Sequence, residues 1–342
     1  DPHQVRRMLT DDSGITHVAL VHCETSSGIL NPVHEIGAVV NEFQRTFIVD
    51  AMSSFGGIPL NVAEAGIDFL VSSANKCIEG VPGFSFVVAD RAQLLASGRS
   101  ARTVSLDLLA QWQGLEESGQ FRFTPPTQTI LAFRLALRQL DDEGGVPGRA
   151  NRYAANHAAL LCGMRRQGFR EYVPADLQSH IITSFLFPDD PNFEFKSFYQ
   201  RLSDKGMVIY PGKLTEVDCF RIGNIGRIFE SDIESLLTAI KTTLLEMNVT
   251  IPDQDSAVQA ETSDTVEYED YNNTSGNYDN TRVPIGVPIV LDYLASTPTA
   301  LSEQTVLDAG CGTGSCLAEL RGRIGRLHGR ELNAGMQQVA KK

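Results

Sequence analysis

Phe47-Ile48-Val49-Asp50-Ala51-Met52-Ser53-Ser54-Phe55-Gly56-Gly57, followed by Ser72-Ser73-Ala74-Asn75-Lys76-Cys77, is where the architecture of this chain declares itself. Thr46 to Asp50 is short, β-branched and near-continuously apolar, and so are His17 to Cys23, Asp68 to Ser73 and Gly83 to Ala89. Runs of this kind fit strands buried on both faces of a parallel sheet. Between the first two, Pro32 to Arg45 sets Val33, Ile36, Val39, Val40 and Phe43 at helical spacing, and a further helical stretch is expected at Val62 to Ala65. Strand-helix-strand alternation predicts an α/β layer architecture. In such a sheet Asp50 ends one strand and Lys76, 26 residues later, lies just beyond the next. Both then face the crevice at the strand carboxyl ends, where α/β sheets bind ligands.

Outward from this core, helical periodicity is expected from Thr127 to Asp142 and from Ala150 to Gln167, strands at Ile181 to Phe187 and Phe220 to Gly223, and a closing helix from Ser231 to Met247. This mixture predicts a smaller α+β domain. Residues 251–282 set eight acidic side chains against a single Arg282 amid Ser, Thr and Asn, a composition that cannot bury a core and is expected to form an acidic disordered linker. The expected organisation is 1–130 as part of a large α/β domain, 131–250 as the small domain, 251–282 as the linker and 283–342 as the start of another domain. With 29 Lys and Arg against 42 Asp and Glu the net charge is −13, which argues against a nucleic-acid partner. No apolar run reaches the roughly 18 residues of a membrane span. The six cysteines are scattered without C-x-x-C spacing, so neither a zinc site nor a disulfide framework is expected, and a cytoplasmic setting fits.

A carboxylate and an amine at neighbouring strand ends are what pyridoxal phosphate needs: an amine to bind its aldehyde, and an acid to keep its ring nitrogen protonated so that the ring accepts carbanion electrons. Taken alone, the pair also fits a strand-capping Asp and a surface Lys. It stands in an ordered set of blocks: His22-Cys23-Glu24-Thr25-Ser26-Ser27-Gly28, the Asp50 block, the Lys76 block, Phe123-Thr124-Pro125-Pro126-Thr127, Val208-Ile209-Tyr210-Pro211-Gly212-Lys213 and Asp218-Cys219-Phe220-Arg221-Ile222-Gly223. From about residue 15 to about 248 the chain resembles the class V aminotransferases of the type I pyridoxal-phosphate fold, and within them the branch acting on 2-aminoethylphosphonate and pyruvate. The resemblance implies a homodimer that moves an amine between these two small substrates. It makes Lys76 the Schiff-base lysine and proton shuttle, Asp50 the pyridinium partner and Met52 a contact on the ring face. Thr25 becomes the hydroxyl near the ring's phenolic oxygen, and Asn75 and Thr124 become phosphate contacts, Thr124 reaching into the other subunit's site. Arg221 becomes the guanidinium that holds the substrate acid group. In the family a phosphate-cradling Gly/Ser/Thr loop and a ring-stacking aromatic lie before the Thr25 motif, which only 24 residues precede here, so both are expected upstream of Asp1. The alternatives are another class V transaminase, using alanine and glyoxylate or serine and pyruvate, and a non-catalytic interaction module.

The chain carries two further patterns. Ser73-Ala74-Asn75-Lys76 fits S-x-x-K of penicillin-recognising hydrolases, whose partner motifs Ser-Asp-Asn and Lys-Thr-Gly are missing from this chain. Val306-Leu307-Asp308-Ala309-Gly310-Cys311-Gly312-Thr313-Gly314 resembles the first motif of Rossmann-like methyltransferases. That resemblance implies S-adenosylmethionine approached by Gly310, Gly312 and Gly314, with Glu331 on its ribose, and about sixty residues would supply only the opening βαβ unit. No metal site is expected.

Overall fold

A computed structural model describes residues 1–98, 101–214 and 217–250, and beyond them 291, 295, 300–303, 305–309, 318 and 320–330, without the side chains of 305–309 and 328–330. The chain divides into two compact units, residues 1–212 with 218–260, and residues 213–217 with 261–342.

The first unit opens with α1 (Pro2–Asp11), capped by the Asp1 carboxylate on the His3 amide. Strand β1 (His17–Val21) leads through α2 (Val33–Glu42) to β2 (Thr46–Asp50), then to β3 (Phe69–Ser73) and β4 (Ser85–Ala89). The sheet order is β1-β2-β3-β4, the first three parallel and β4 antiparallel to β3. Val21 is opposite Asp50 and Asp50 is opposite Val71, so the carboxyl ends of three strands finish almost level. The apolar spacing of α2 puts Val33, Ile36 and Val40 against Phe47, Val49 and Leu70, all buried. Each such side chain contributes about 1.5–3 kcal/mol on leaving water. The helical stretch expected at Val62 to Ala65 is a single turn instead. The Asn61 side chain caps it through the amides of Ala63 and Glu64, and Gly66 at φ 64 ends it at once.

Helices α3 (Arg91–Ala96), α4 (Leu108–Ser118), α5 (Thr127–Asp142) and α6 (Gly145–Arg166) follow. A second sheet then forms from β5 (Ile182–Leu186), β6 (Tyr210–Pro211) and β7 (Cys219–Gly223), antiparallel in the order β5-β7-β6. Helices α7 (Phe195–Asp204) and α8 (Glu230–Glu246) complete it. Its core is aromatic: Phe220 has ring neighbours Phe169 and Phe198 at 5.5 Å and Phe185 at 5.9 Å, the favoured range for offset and edge contacts. Helix α7 was not anticipated. Its start is set by Glu194, whose carboxylate accepts from the amides of Lys196 and Ser197, and Phe198 and Leu202 are its buried face.

In the second unit β8 (Thr305–Ala309) and β9 (Arg326–Arg330) pair in parallel, Thr305 opposite Arg326, with Leu320 and Ile324 buried. Gly310, Gly312, Gly314 and Glu331, and the acidic segment 251–282, lie outside the described residues.

Candidate active site

The level rim of the first sheet gathers the expected chemistry. The His22 amide donates to the Asp50 carbonyl at 2.8 Å and the Ala51 amide to the Val71 carbonyl at 2.9 Å, so the three chains leave the sheet side by side. Asp50 itself is exposed at the end of β2, and its Oδ1 accepts from the Met52 amide at 2.8 Å. Its free side faces solvent, where an approaching cation can meet it. Thr25 lies half-buried four residues past β1, in a loop closed by the Gly28 amide on the Glu24 carbonyl at 2.7 Å. Burial, then the nearby charge of Asp50, raises the pKa of Glu24. His22 beneath is pushed down to about 4 by burial and then by His34, so it stays neutral. Its Nδ1 is 3.0 Å from Ser54 Oγ.

Past β3 the chain turns through Asn75, exposed, and Lys76, half-buried. This turn is tied to the Asp50 strand by Ser72 Oγ donating to the Ala51 carbonyl at 3.3 Å and by the Cys77 thiol donating to the Ser53 carbonyl at 3.2 Å. Three residues before Lys76, Ser73 is only 6% exposed and its Oγ has no hydrogen-bond partner among the described residues. Such a group costs free energy unless something completes it. Sequence reasoning met Ser73 only as the first residue of S-x-x-K; a serine pair, Ser72-Ser73, ending an apolar strand three residues before a lysine was the available signal.

From the second sheet, Arg221 on β7 reaches the same place. It is 5% exposed, its Nη1 donates to the Thr25 carbonyl and its Nε to the Pro211 carbonyl at 3.0 Å, with the guanidinium 5.8 Å from the Tyr210 ring centre. The structure thus joins Asp50, Thr25, Met52 and the Lys76 turn through neighbouring strand ends, and joins Arg221 to Thr25 directly. Thr124 stands apart, exposed on the segment Gly119–Pro125 that lines an open depression. Among the described residues no group of His, Cys, Asp and Glu is arranged to hold a metal ion.

A primary amine, a carboxylate, a hydroxyl and a buried guanidinium around one rim is the equipment of an enzyme that handles amines and acids. Residues 1–214 match the model of the family described as Aminotransferase class-V. The chain belongs to the class V aminotransferases. Among curated relatives it is 51% identical over 245 residues to a 2-aminoethylphosphonate--pyruvate transaminase of Salmonella typhimurium, covering 71% of this chain and 67% of that protein. The homologous transaminase of Salmonella heidelberg is 51% identical over 248 residues, covering 72% and 68%. Among solved structures, ureidoglycine-glyoxylate aminotransferase from Bacillus subtilis superposes with TM-score 0.67 at 25% identity, over 74% of this chain and 66% of its own. Pyridoxamine-pyruvate aminotransferase from Mesorhizobium loti gives TM-score 0.67 at 26% identity, over 73% and 65%. The chain therefore spans about two thirds of the length of these relatives.

Proposed function

We propose that this chain catalyses the pyridoxal-phosphate-dependent transamination of 2-aminoethylphosphonate with pyruvate, giving phosphonoacetaldehyde and L-alanine. The observation that carries the reading is the level rim on which Lys76, Asp50 and Thr25 follow adjacent parallel strands while buried Arg221 bonds the Thr25 carbonyl. The donor set fits the cofactor: an amine for its aldehyde, a carboxylate for its ring nitrogen, a hydroxyl for its phenolic oxygen, and the orphaned Ser73 Oγ as an added donor for its phosphate. When bound, pyridoxal phosphate supplies an electron sink that stabilises negative charge on the carbon bearing the amine.

The residues divide the remaining work. Lys76 would hold the cofactor through Nζ, and once the incoming substrate amine has replaced it there, the freed Nζ would take the proton from the amine-bearing carbon of the substrate. Asp50 keeps a positive charge opposite its carboxylate, an arrangement whose strength comes from charge assistance. Met52 would lie against the ring face, and Asn75 with Ser73 would hold the phosphate. Arg221 recognises the phosphonate of one substrate and the carboxylate of the other, because a planar fork with fixed donors suits both anions. Thr124, exposed and apart, is assigned to the site of a second copy in a homodimer. The work is placed in the cytoplasm; among the described residues no helix is long and apolar enough to cross a membrane.

We keep the four-part organisation as part of this reading, with 1–130 and 131–250 as the two domains of the transaminase and 251–282 as a linker. Residues 283–342 are read as the opening unit of an S-adenosylmethionine-binding domain, which the parallel pairing of β8 and β9 supports.

Adding pyridoxal phosphate to the protein tests the main reading through the visible absorbance of the lysine-bound cofactor, borohydride trapping, and turnover of 2-aminoethylphosphonate with pyruvate. The expected result is a trapped pyridoxyl group on Lys76, turnover with this pair, and loss of both in a folded Lys76→Ala variant. Faster turnover with alanine and glyoxylate or serine and pyruvate would replace the substrate assignment. Absence of trapping in the folded protein would leave an interaction module.

A further inference from the structure

Behind the Lys76 turn lies an ionic network, with Arg149 buried and Glu79, Glu143 and Arg152 partly buried, that the proposed chemistry does not use. Arg149 is 1% exposed. Its Nη1 donates to the Cys77 carbonyl at 2.5 Å, immediately after Lys76, and its Nε to Glu143 at 2.8 Å. Glu79 accepts from Arg152 Nη2 at 2.8 Å and from the Tyr153 hydroxyl at 2.7 Å, with Arg149 Nη1 at 3.6 Å. Arg152 donates through Nε to Glu143 at 2.7 Å, and through Nη1 to the carbonyls of Gly226 at 2.7 Å and Ile228 at 3.1 Å. Gly226 and Ile228 belong to the loop that follows β7, the strand of Arg221. One connected set of two arginines and two glutamates thus holds the lysine turn at one end and the loop beside the arginine strand at the other.

Two facts argue for more than bulk stability. Glu79 is a non-glycine residue at φ 62, a left-handed conformation that ordinarily costs about 1 kcal/mol or more, and its amide closes the turn on the Lys76 carbonyl at 2.8 Å. The strained residue is therefore the one whose carboxylate the network grips. Moreover, burial works against the charge of Arg152, yet the hydrogen bonds it donates to Glu143 and Glu79 more than offset it and hold its pKa above the usual arginine value. Buried ion pairs stabilise weakly against apolar replacements of the same shape. What such a network provides instead is fixed geometry, the requirement of a site that must hold an amine and an acid-binding fork at a set separation.

We infer that Glu79, Arg149, Arg152 and Glu143 are positioning residues, which set the direction of the Lys76 amine through the turn and set its separation from Arg221 through the loop after β7. The inference rests on Lys76 carrying the cofactor, as proposed above. It makes the two arginines separable. Arg149 bonds the lysine end through the Cys77 carbonyl and otherwise Glu143, whereas Arg152 bonds Glu79 at that end and the Gly226 and Ile228 carbonyls at the other.

The test uses the cofactor-loaded protein and the variants Arg149→Lys, Arg152→Lys, Glu79→Gln and Glu79→Gly, each checked for folding by its urea midpoint. Arg149→Lys is expected to slow borohydride-trapped attachment at Lys76 and to lower kcat by about tenfold, with KM for pyruvate unchanged. Arg152→Lys is expected to do the same and also to raise KM for pyruvate at least about fivefold. Glu79→Gly, which relieves the left-handed backbone but removes the carboxylate, should be as slow in attachment as Glu79→Gln. Attachment rate, kcat and KM all within about twofold of the parent in the folded variants would overturn the inference, as would recovery of the parent rates by Glu79→Gly. Lys76→Ala run alongside separates the two claims: if it still traps cofactor, the reading of Lys76 has failed, whereas trapping lost in Lys76→Ala but unchanged in the network variants defeats the positioning role alone.

Discussion

The turn that carries Lys76 and the segment that carries Thr124 are held in opposite ways. Around Lys76, Ala74, Cys77 and Ile78 are buried, the Gly80 amide closes on the Ala74 carbonyl at 2.8 Å, and Arg149 reaches in from 72 residues along the chain. Around Thr124, Phe121 and Phe123 are about half exposed, and the ties are short-range. The Arg122 amide donates to Gln111 at 3.2 Å, and Arg122 Nη1 to the Val104 carbonyl, 18 residues away. A segment with few buried contacts is held at the low end of a protein's range of local stabilities. Substitutions in the first region should therefore be felt at the chemistry, and substitutions in the second should stay local.

The largest effect is expected on the rim itself. Asp50→Asn should leave the fold and cofactor binding in place while lowering kcat by about two orders of magnitude or more, the scale at which one preorganised charge-stabilising group acts. Turnover within about twofold of the parent would show that Asp50 only caps the Met52 amide and that the rim is structural.

A pair of glycine substitutions compares the regions directly. A Cβ on Gly80 would sit 2.7 Å from the Ala74 carbonyl oxygen, so Gly80→Ala must distort the lysine turn. It should cost about 1–3 kcal/mol in urea unfolding and slow cofactor attachment. At Gly119, the left-handed end of α4 at φ 67, a Cβ meets nothing within 4 Å, so Gly119→Ala should cost only about 1 kcal/mol or less, with attachment unchanged. Equal effects at the two sites would erase the contrast.

A pH titration sharpens the first region. His22 is held neutral down to about 4, while in the unfolded chain it keeps its ordinary pKa near 6.5. Between these values the unfolded chain binds the extra proton, so stability falls as pH falls, by up to about 1.4 kcal/mol per pH unit for that proton. His157, also pushed down to about 4 by burial, adds in the same direction. Urea midpoints measured from pH 7 to pH 4 should show this decline, and His22→Asn should flatten it. An unchanged slope would mean that His22 is protonated in the folded protein.

The smallest effect is expected at Thr124. Thr124→Ala should weaken cofactor affinity by about 1 kcal/mol, the order of one hydrogen bond, with stability unchanged. No loss of affinity would remove Thr124 from the second copy's site, and a loss comparable with that of Lys76→Ala would show that it does more there than make one hydrogen bond.

Much of this molecule was legible in its residues. Apolar β-branched runs located β1 to β4 within a few residues, but the expected burial on both faces is not what the sheet shows: β2 and β3 carry the buried Phe47, Val49 and Leu70, whereas β1 and the antiparallel β4, as edge strands, are exposed or half-buried along their length. Helices α2, α5 and α8 followed from 3.6-residue spacing. The rim followed in turn, since a residue at the end of a parallel strand has a known place in the fold. Other features were hidden, α3, α4 and β6 among them. Helix α7 starts on a Glu cap behind the Pro188 to Pro191 stretch, and the apolar letters at Val62 to Ala65 lack the length to outlast Gly66. The orphaned Ser73 hydroxyl looks like any strand serine until its surroundings are packed.

What the sequence by itself determined was the order of elements and the residue types at their ends, because hydrophobic periodicity and strand-end chemistry are local properties written along the chain. Only the tertiary structure decided that Arg221 meets the Thr25 carbonyl 196 residues away, and that Arg149 and Arg152 bind Glu79 and Glu143 behind the lysine. Such pairings depend on which faces the buried core brings together, and charged residues show no period that would announce their partners. An arginine on a helix is ordinarily solvated. It becomes a structural fork only where packing strips its water and leaves a carboxylate and a carbonyl as the available acceptors.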